Sequence, residues 1–190
     1  MSDPARPIAT SSQTVGPFFH FGLTTDTSLG RVAAPEATGE RIQLRIRVLD
    51  GAGVPVPDAL IEVYHADAEG NYGQPAAGEG GRGFHGFGRL PTNADGTCTF
   101  ATIKPGVVRS GAVEQAPHVN LCFLSRGLLR QIYTRIYFEG DAGAASDPIL
   151  DLVPAERRHT LMARPAPAEP GTWDFVIRLQ GDDETVFFDL

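Results

Sequence analysis

Alternation of apolar and polar residues over residues 41–48 constrains the fold of this chain more than any other sequence feature. Apolar side chains occupy every second position, with polar ones between them: Ile42, Leu44, Ile46 and Val48 alternate with Gln43, Arg45 and Arg47. A period of two is typical of a β-strand with one buried face, because successive side chains point to opposite sides of the sheet. The pattern therefore predicts a half-buried strand.

Short apolar segments recur along the chain and are separated by turn signals. They predict further strands and one hairpin, at residues 59–65, 89–102 (the hairpin, with its turn at 93–96), 118–123, 132–138, 174–179 and 185–188. The 22 Gly and 15 Pro are spread between these segments, as is typical of a turn-rich all-β domain. Because no helices alternate with the strands, the predicted fold class is all-β, an antiparallel β-sandwich with long loops.

One short helix is predicted in this single domain of residues 1–190. Ser146 or Asp147 can cap it, Pro148 suits its first position, and Pro154 ends it.

Residues 1–40 show no sustained period and contain four Pro and four Gly. They predict an extended N-terminal arm. Phe18, Phe19 and Phe21 are too apolar to be left in water, so we expect the arm to pack on its own domain or on a partner.

Composition excludes several classes of protein. The chain carries a net charge of −7, which disfavours nucleic-acid binding because phosphate backbones are also negative. Its two cysteines, Cys98 and Cys122, form no CxxC pair, and we expect both to be small buried side chains. No segment approaches the ~20 apolar residues of a membrane span, and the first residues lack a signal-peptide core, so a cytoplasmic location is expected.

Polar residues on the strand at 118–123 offer a candidate metal site. His118 and Asn120 are two positions apart and share a face, and Tyr72 follows a turn. An HxH pair would be a good two-ligand platform, but a neutral amide is a weak ligand for a hard trivalent ion. The alternative, which the residues alone favour, is a hydrogen-bonded core histidine with a polar neighbour, and a Tyr72 ring packed on the sheet. The other histidines, His20, His65, His85 and His159, show no ligand spacing.

Arg135 lies within the strand at 132–138, between Tyr133 and Tyr137. It is either part of a solvated face or an anion contact, and the flanking tyrosines weaken the first interpretation. The Gly-rich residues 73–88 do not match a dinucleotide-binding loop, and GxSxG is absent.

Several blocks together resemble the intradiol ring-cleavage dioxygenases. They span nearly the whole chain in order: SSQTVGPFFHFGL, LIEVYHADAEGNY, TIKPGVV, APHVNL, TRIYFEGD, DPIL and GDDETVFFDL. Within that family the chain is more similar to the α subunits of two-chain members than to their β subunits.

The resemblance implies that Fe(III) is held by two Tyr and two His in the β subunit. In this chain Tyr72 is retained, Val108 and Asn120 replace a Tyr and a His, and His118 is retained. Gln115 stands where an Arg supporting the substrate is expected. Since two of four ligands are missing, we expect this chain to bind no iron.

The resemblance also implies an active site between the α and β subunits. Thr14, Gly16, Pro17 and Arg135 would help form the substrate cavity, and the arm would bury its phenylalanines on the β subunit. The implied reaction cleaves 3,4-dihydroxybenzoate with O2 between the hydroxyl-bearing carbons, giving 3-carboxy-cis,cis-muconate. Two alternatives stay open: a non-catalytic β-sandwich that binds a ligand or another protein, and an independent iron enzyme using Tyr72, His118 and a further ligand.

Overall fold

The computed structural model describes residues 9–73 and 83–189. Residues 1–8 of the predicted arm and 74–82 of the Gly-rich loop lie outside the described residues. The described chain is dominated by strands: β1 Arg41–Leu49, β2 Leu60–His65, β3 Phe87–Pro91, β4 Thr97–Ile103, β5 Val108–Ser110, β6 Val113–Gln115, β7 His118–Leu124, β8 Ile132–Phe138, β9 Met162–Pro165 and β10 Thr172–Arg178. The all-β prediction is confirmed.

Eight of these strands form one strongly bent sheet in the order β3-β2-β7-β8-β9-β10-β1-β4, and β5 pairs with β6 separately. Strand β9 joins the two halves, because Met162 and Ala163 pair with β8 while Arg164 and Pro165 pair with β10. The halves face each other across a shared core, so the architecture is intermediate between a sandwich and a barrel.

The alternation predicted for β1 correctly identifies which of its side chains enter the core. In β1, Ile42, Leu44, Ile46 and Val48 are at most 2% exposed. One continuous apolar cluster receives side chains from both halves, and its buried phenylalanines are Phe84, Phe100, Phe123, Phe138 and Phe175. Burial of these rings favours closing of the halves on each other.

The sheet is mixed, which corrects the antiparallel prediction. Strand β1 runs parallel to β10, and β8 runs parallel to β9. The predicted hairpin at residues 89–102 is also wrong, because its two strands do not pair with each other. Its turn forms, with Asn93 N donating to Thr97 O at 2.9 Å, but β3 pairs with β2 and β4 pairs with β1. The turn therefore carries the chain from one half to the other.

The region expected to be one extended arm has three parts. Residues 9–16 have no regular structure, Pro17–Leu23 form helix α1, and Thr27–Gly30 form a 3₁₀ helix. Val32 N and Ala33 N then donate to Ala101 O beside β4, and His85 N donates to Val32 O just before β3. Val32 and Ala33 are fully buried, so the end of the arm belongs to its own domain.

Three more 3₁₀ helices follow β8: Ala142–Ser146, Leu150–Leu152 and Ala155–Leu161. The predicted short helix is the second of these, and it is a 3₁₀ turn of three residues because Pro154 soon follows. Residues 185–188 form no strand and are joined to the sheet by a bridge from Tyr133 to Phe188. No helix in the described residues is long and apolar enough to cross a membrane.

Candidate functional site

The candidate residues lie on the outer face of β2, β7 and β8. Strand register places Tyr64 of β2 opposite Asn120 of β7, and Asn120 opposite Arg135 of β8. His118 lies opposite Tyr137 in the same register. Because residues two apart on a strand share a face, this polar row is a direct result of the pleat.

Tyr72 reaches this row from the turn after β2. Its ring stacks on Tyr64, with ring centroids 5.1 Å apart. Its hydroxyl lies 2.9 Å from His118 Nε2 and 2.9 Å from Asn120 Nδ2. The structure therefore brings Tyr72, His118 and Asn120 into one hydrogen-bonded cluster, here called the Tyr72 cluster.

The hydrogen-bond directions in the Tyr72 cluster follow from the backbone. His118 Nδ1 lies 2.7 Å from the carbonyl oxygen of Ala116, which can only accept, so Nδ1 carries the proton. His118 Nε2 is then an acceptor and receives the Tyr72 O–H. The Asn120 amide donates to the Tyr72 oxygen and to the carbonyl of Tyr64, at 3.2 Å. Each of these donors has an acceptor within the cluster.

Burial favours the neutral forms of both titrating groups. It raises the pKa of Tyr72, although the Asn120 hydrogen bond and the Arg135 charge oppose the rise. Burial, together with the nearby Arg135 charge, lowers the pKa of His118 to about 4. At neutral pH the pair is thus a phenol donating to a neutral imidazole.

Val108 and Gln115 approach the site on the small sheet of β5 and β6, where they are register partners. Val108 is buried and offers only carbon. The Gln115 Oε1 atom accepts a 2.7 Å hydrogen bond from Arg135 Nη1. The cation in contact with Gln115 is therefore Arg135 of β8.

This donor set does not fit a ferric ion. Fe(III) requires anionic oxygen donors together with imidazoles. Tyr72 and His118 already satisfy each other, Val108 has no donor atom, and the Asn120 amide nitrogen faces the Tyr72 oxygen. Within residues 9–73 and 83–189, no three His, Cys, Asp or Glu side chains converge as a metal site.

A groove of about 520 Å³ opens beside the Tyr72 cluster. Its walls include Tyr64, Asn120, Tyr133, Arg135, Leu152 and Phe188. Arg135 has no carboxylate partner within 4.0 Å among the described residues, whereas the two acidic residues lining the groove, Glu62 and Asp189, pair with other arginines. Aromatic walls around a cation free of acidic partners suit an anionic ring compound.

The arm residues predicted for the site lie elsewhere in this chain. Thr14 Oγ1 accepts a 2.7 Å hydrogen bond from Gly127 N, in the loop between β7 and β8. Gly16 O accepts from Phe19 N, and Pro17 begins α1. Thr14 and Gly16 do not line the groove beside Arg135. Phe18 and Phe21 of α1 are 87% and 66% exposed.

Asp147 is a site residue whose full role the sequence did not reveal. The sequence marked it only as a helix cap, and it does accept from Ile149 N and Leu150 N. Its carboxylate, which is fully buried, also accepts from Ala116 N and from the Tyr137 hydroxyl. Ala116 is 31 positions away, so no local signal could have indicated this link.

Comparison with known sequences assigns the chain to a family. The family model described as Dioxygenase matches residues 14–181. The α chain of protocatechuate 3,4-dioxygenase from Burkholderia cepacia is 42% identical, over 95% of this chain and 97% of that one. The β chain from the same organism is 33% identical, over 97% of this chain and 81% of that one.

Solved structures share the fold. The dioxygenase domain of a dioxygenase carbohydrate-binding protein fusion from Streptomyces sp. SirexAA-E has a TM-score of 0.59 at 24% identity, covering 93% of this chain and 99% of that one. Hydroxyquinol 1,2-dioxygenase from Pseudomonas putida DLL-E4 has a TM-score of 0.61 at 20% identity, covering 91% of this chain and 68% of that one. With the family match across most of its length, this chain belongs to the intradiol ring-cleaving dioxygenases.

Proposed function

We propose that this chain is the α subunit of a protocatechuate 3,4-dioxygenase and acts only together with an iron-bearing β subunit. The complex cleaves 3,4-dihydroxybenzoate with O2 between the hydroxyl-bearing carbons, giving 3-carboxy-cis,cis-muconate. The observation that carries the proposal is the Tyr72 cluster, in which the remaining family ligands bond each other and Val108 offers no donor. The 42% identity to a protocatechuate 3,4-dioxygenase α chain supports it.

In this proposal the β subunit holds Fe(III), and this chain contributes cavity shape, charge and assembly. Arg135 supplies positive charge for the anionic substrate, while Thr14, Gly16 and Pro17 shape the cavity at the subunit interface. The exposed Phe18 and Phe21 of α1 support a role for the N-terminal segment in binding the partner, because rings this exposed gain free energy by burial. A cytoplasmic location is part of the proposal, and the unpaired Cys98 and Cys122 support it.

Co-expression with a β subunit tests the assignment. We expect a colourless α chain when it is purified alone, and an iron-containing red-brown complex that takes up O2 with 3,4-dihydroxybenzoate. Stoichiometric iron in the isolated chain, with ring cleavage, would contradict the proposal and support an independent iron enzyme. An inert monomer beside a fully active β chain would instead favour a non-catalytic binding module.

Substitution of Arg135 tests its substrate role in the assembled enzyme. We expect Arg135→Ala to raise KM for 3,4-dihydroxybenzoate about tenfold, as for loss of one charge-assisted contact, with unchanged iron content. The matched control is Arg164→Ala. Arg164 is also a strand arginine, but it lies on β9 away from the groove and pairs with Glu139. Equal KM values for both variants and the parent would remove Arg135 from the substrate site.

A further inference from the structure

Four donors converge on the buried carboxylate of Asp147. Its Oδ1 atom accepts from the Tyr137 hydroxyl at 2.9 Å, Ile149 N at 2.9 Å and Leu150 N at 2.8 Å. Its Oδ2 atom accepts from Ala116 N at 2.8 Å. A helix cap needs only the two backbone bonds at residues 149 and 150, so the other two contacts require a further explanation.

Those other two contacts hold the neighbours of Arg135. Ala116 directly follows Gln115, whose amide oxygen accepts from Arg135 Nη1. Tyr137 is fully buried, and the Arg135 guanidinium beside its hydroxyl opposes the rise in pKa that burial causes there. Asp147 thus fixes the backbone of Ala116, which is next to Gln115, and the hydroxyl of Tyr137, which lies beside Arg135.

We propose that Asp147 is a positioning residue for Arg135, aligning the guanidinium with the groove by holding Ala116 and Tyr137 in place. This inference rests on the proposed substrate role of Arg135. Asp147 itself is fully buried and does not line the groove. Its effect is therefore expected on substrate affinity and only through Arg135.

Replacement of Asp147 by Asn separates this role from the cap. The amide oxygen of the new side chain can keep the three bonds now made by Oδ1, but its NH2 group then faces Ala116 N–H, and two donors cannot bond each other. The opposite orientation would break the two backbone bonds from Ile149 N and Leu150 N instead of one, and is disfavoured. Asp147→Asn therefore releases the segment at 115–116 while the turn at residues 149–150 keeps its cap.

A double-mutant cycle in the assembled enzyme provides the test. We expect Asp147→Asn to raise KM for 3,4-dihydroxybenzoate by about three- to tenfold, with kcat within about twofold and unchanged iron content. In the Arg135→Ala background the same substitution should leave KM unchanged. The matched control is Asp141→Asn, which neutralises the carboxylate capping the preceding turn at Gly143 N and should leave KM unchanged in both backgrounds.

The outcomes separate failure of the inference from failure of the proposed function. If Arg135→Ala does not change KM, the substrate role of Arg135 is wrong and the inference falls with it. If Arg135→Ala raises KM but Asp147→Asn has no effect, or has equal effects in both backgrounds, only the inference is overturned. Should Asp147→Asn fail to assemble, Tyr137→Phe is put through the same cycle, and a KM effect that depends on Arg135 is again required.

Discussion

Two buried histidines make the stability of this chain depend on pH, and His65 is the clearer case. It is 1% exposed, with Nδ1 2.8 Å from the carbonyl of Ala66 and Nε2 2.8 Å from the hydroxyl of Thr102. The carbonyl fixes the proton on Nδ1, so Nε2 accepts from Thr102. The pocket therefore suits a neutral ring, and burial lowers the pKa of His65 to about 4.

The direction and size of the effect follow from proton linkage. An unfolded histidine titrates near 6.5, so between about pH 6.5 and 4 the unfolded chain binds protons that the folded chain does not. The free energy of unfolding is full above that range and falls as the pH falls. At pH 5 the loss is about 2 kcal/mol for His65 and about as much for His118, against a typical total of 5–15 kcal/mol.

Denaturant unfolding at pH 7.5 and 5.0, followed by the fluorescence of the single tryptophan, Trp173, measures this loss. The perturbation is His65→Gln, whose amide can reach Thr102 but does not titrate. We expect the variant to lose about 2 kcal/mol less than the parent between the two pH values. Carboxylates contribute equally to both proteins, so they cancel in the difference.

The comparison between pH 7.5 and 9 is the internal control, because neither buried histidine gains a proton there and the two proteins should respond alike. An equal loss of stability for parent and variant between pH 7.5 and 5.0 would refute the reasoning, since His65 would then not be held neutral by burial.

Two further substitutions test the fold. Gly106→Ala should destabilise the chain by more than about 2 kcal/mol in denaturant unfolding, because a Cβ there would overlap the carbonyl oxygen of Ala68. The control is Gly22→Ala in α1, which should be tolerated because nothing lies within 4 Å of the added Cβ. Phe100→Ala should cost about 3–5 kcal/mol because the ring is fully buried, while Leu129→Ala, at a 62% exposed position, should cost under about 0.5 kcal/mol by denaturant unfolding.

The parts of the fold that follow from sequence are those in which one strand face is buried. β1 and β7 were predicted to within one residue because core burial imposes an alternating pattern on each. The four-residue β9 leaves no such pattern, since it changes partners halfway along. The parallel pairing of β1 with β10 joins residues more than 100 positions apart, and no local sequence signal encodes it.

Some features of the candidate site likewise follow from the sequence, and others do not. The shared face of His118 and Asn120 follows from their spacing, and the loss of ferric ligands follows from residue identity at Val108 and Asn120. The bond from Tyr72 to His118 spans 46 positions and depends on how the turn after β2 folds back. Helix α1 was missed because Gly22 disfavours a helix and α1 is only seven residues long.

The segment at residues 31–33 has a consequence for how this protein meets other chains. By bonding beside both β3 and β4, it covers backbone groups that would otherwise be open to strand addition. The carbonyl oxygen of Ala101 in β4 is then already occupied and cannot accept from an incoming strand. Edge-to-edge pairing with another chain is thereby disfavoured at this point of the sheet.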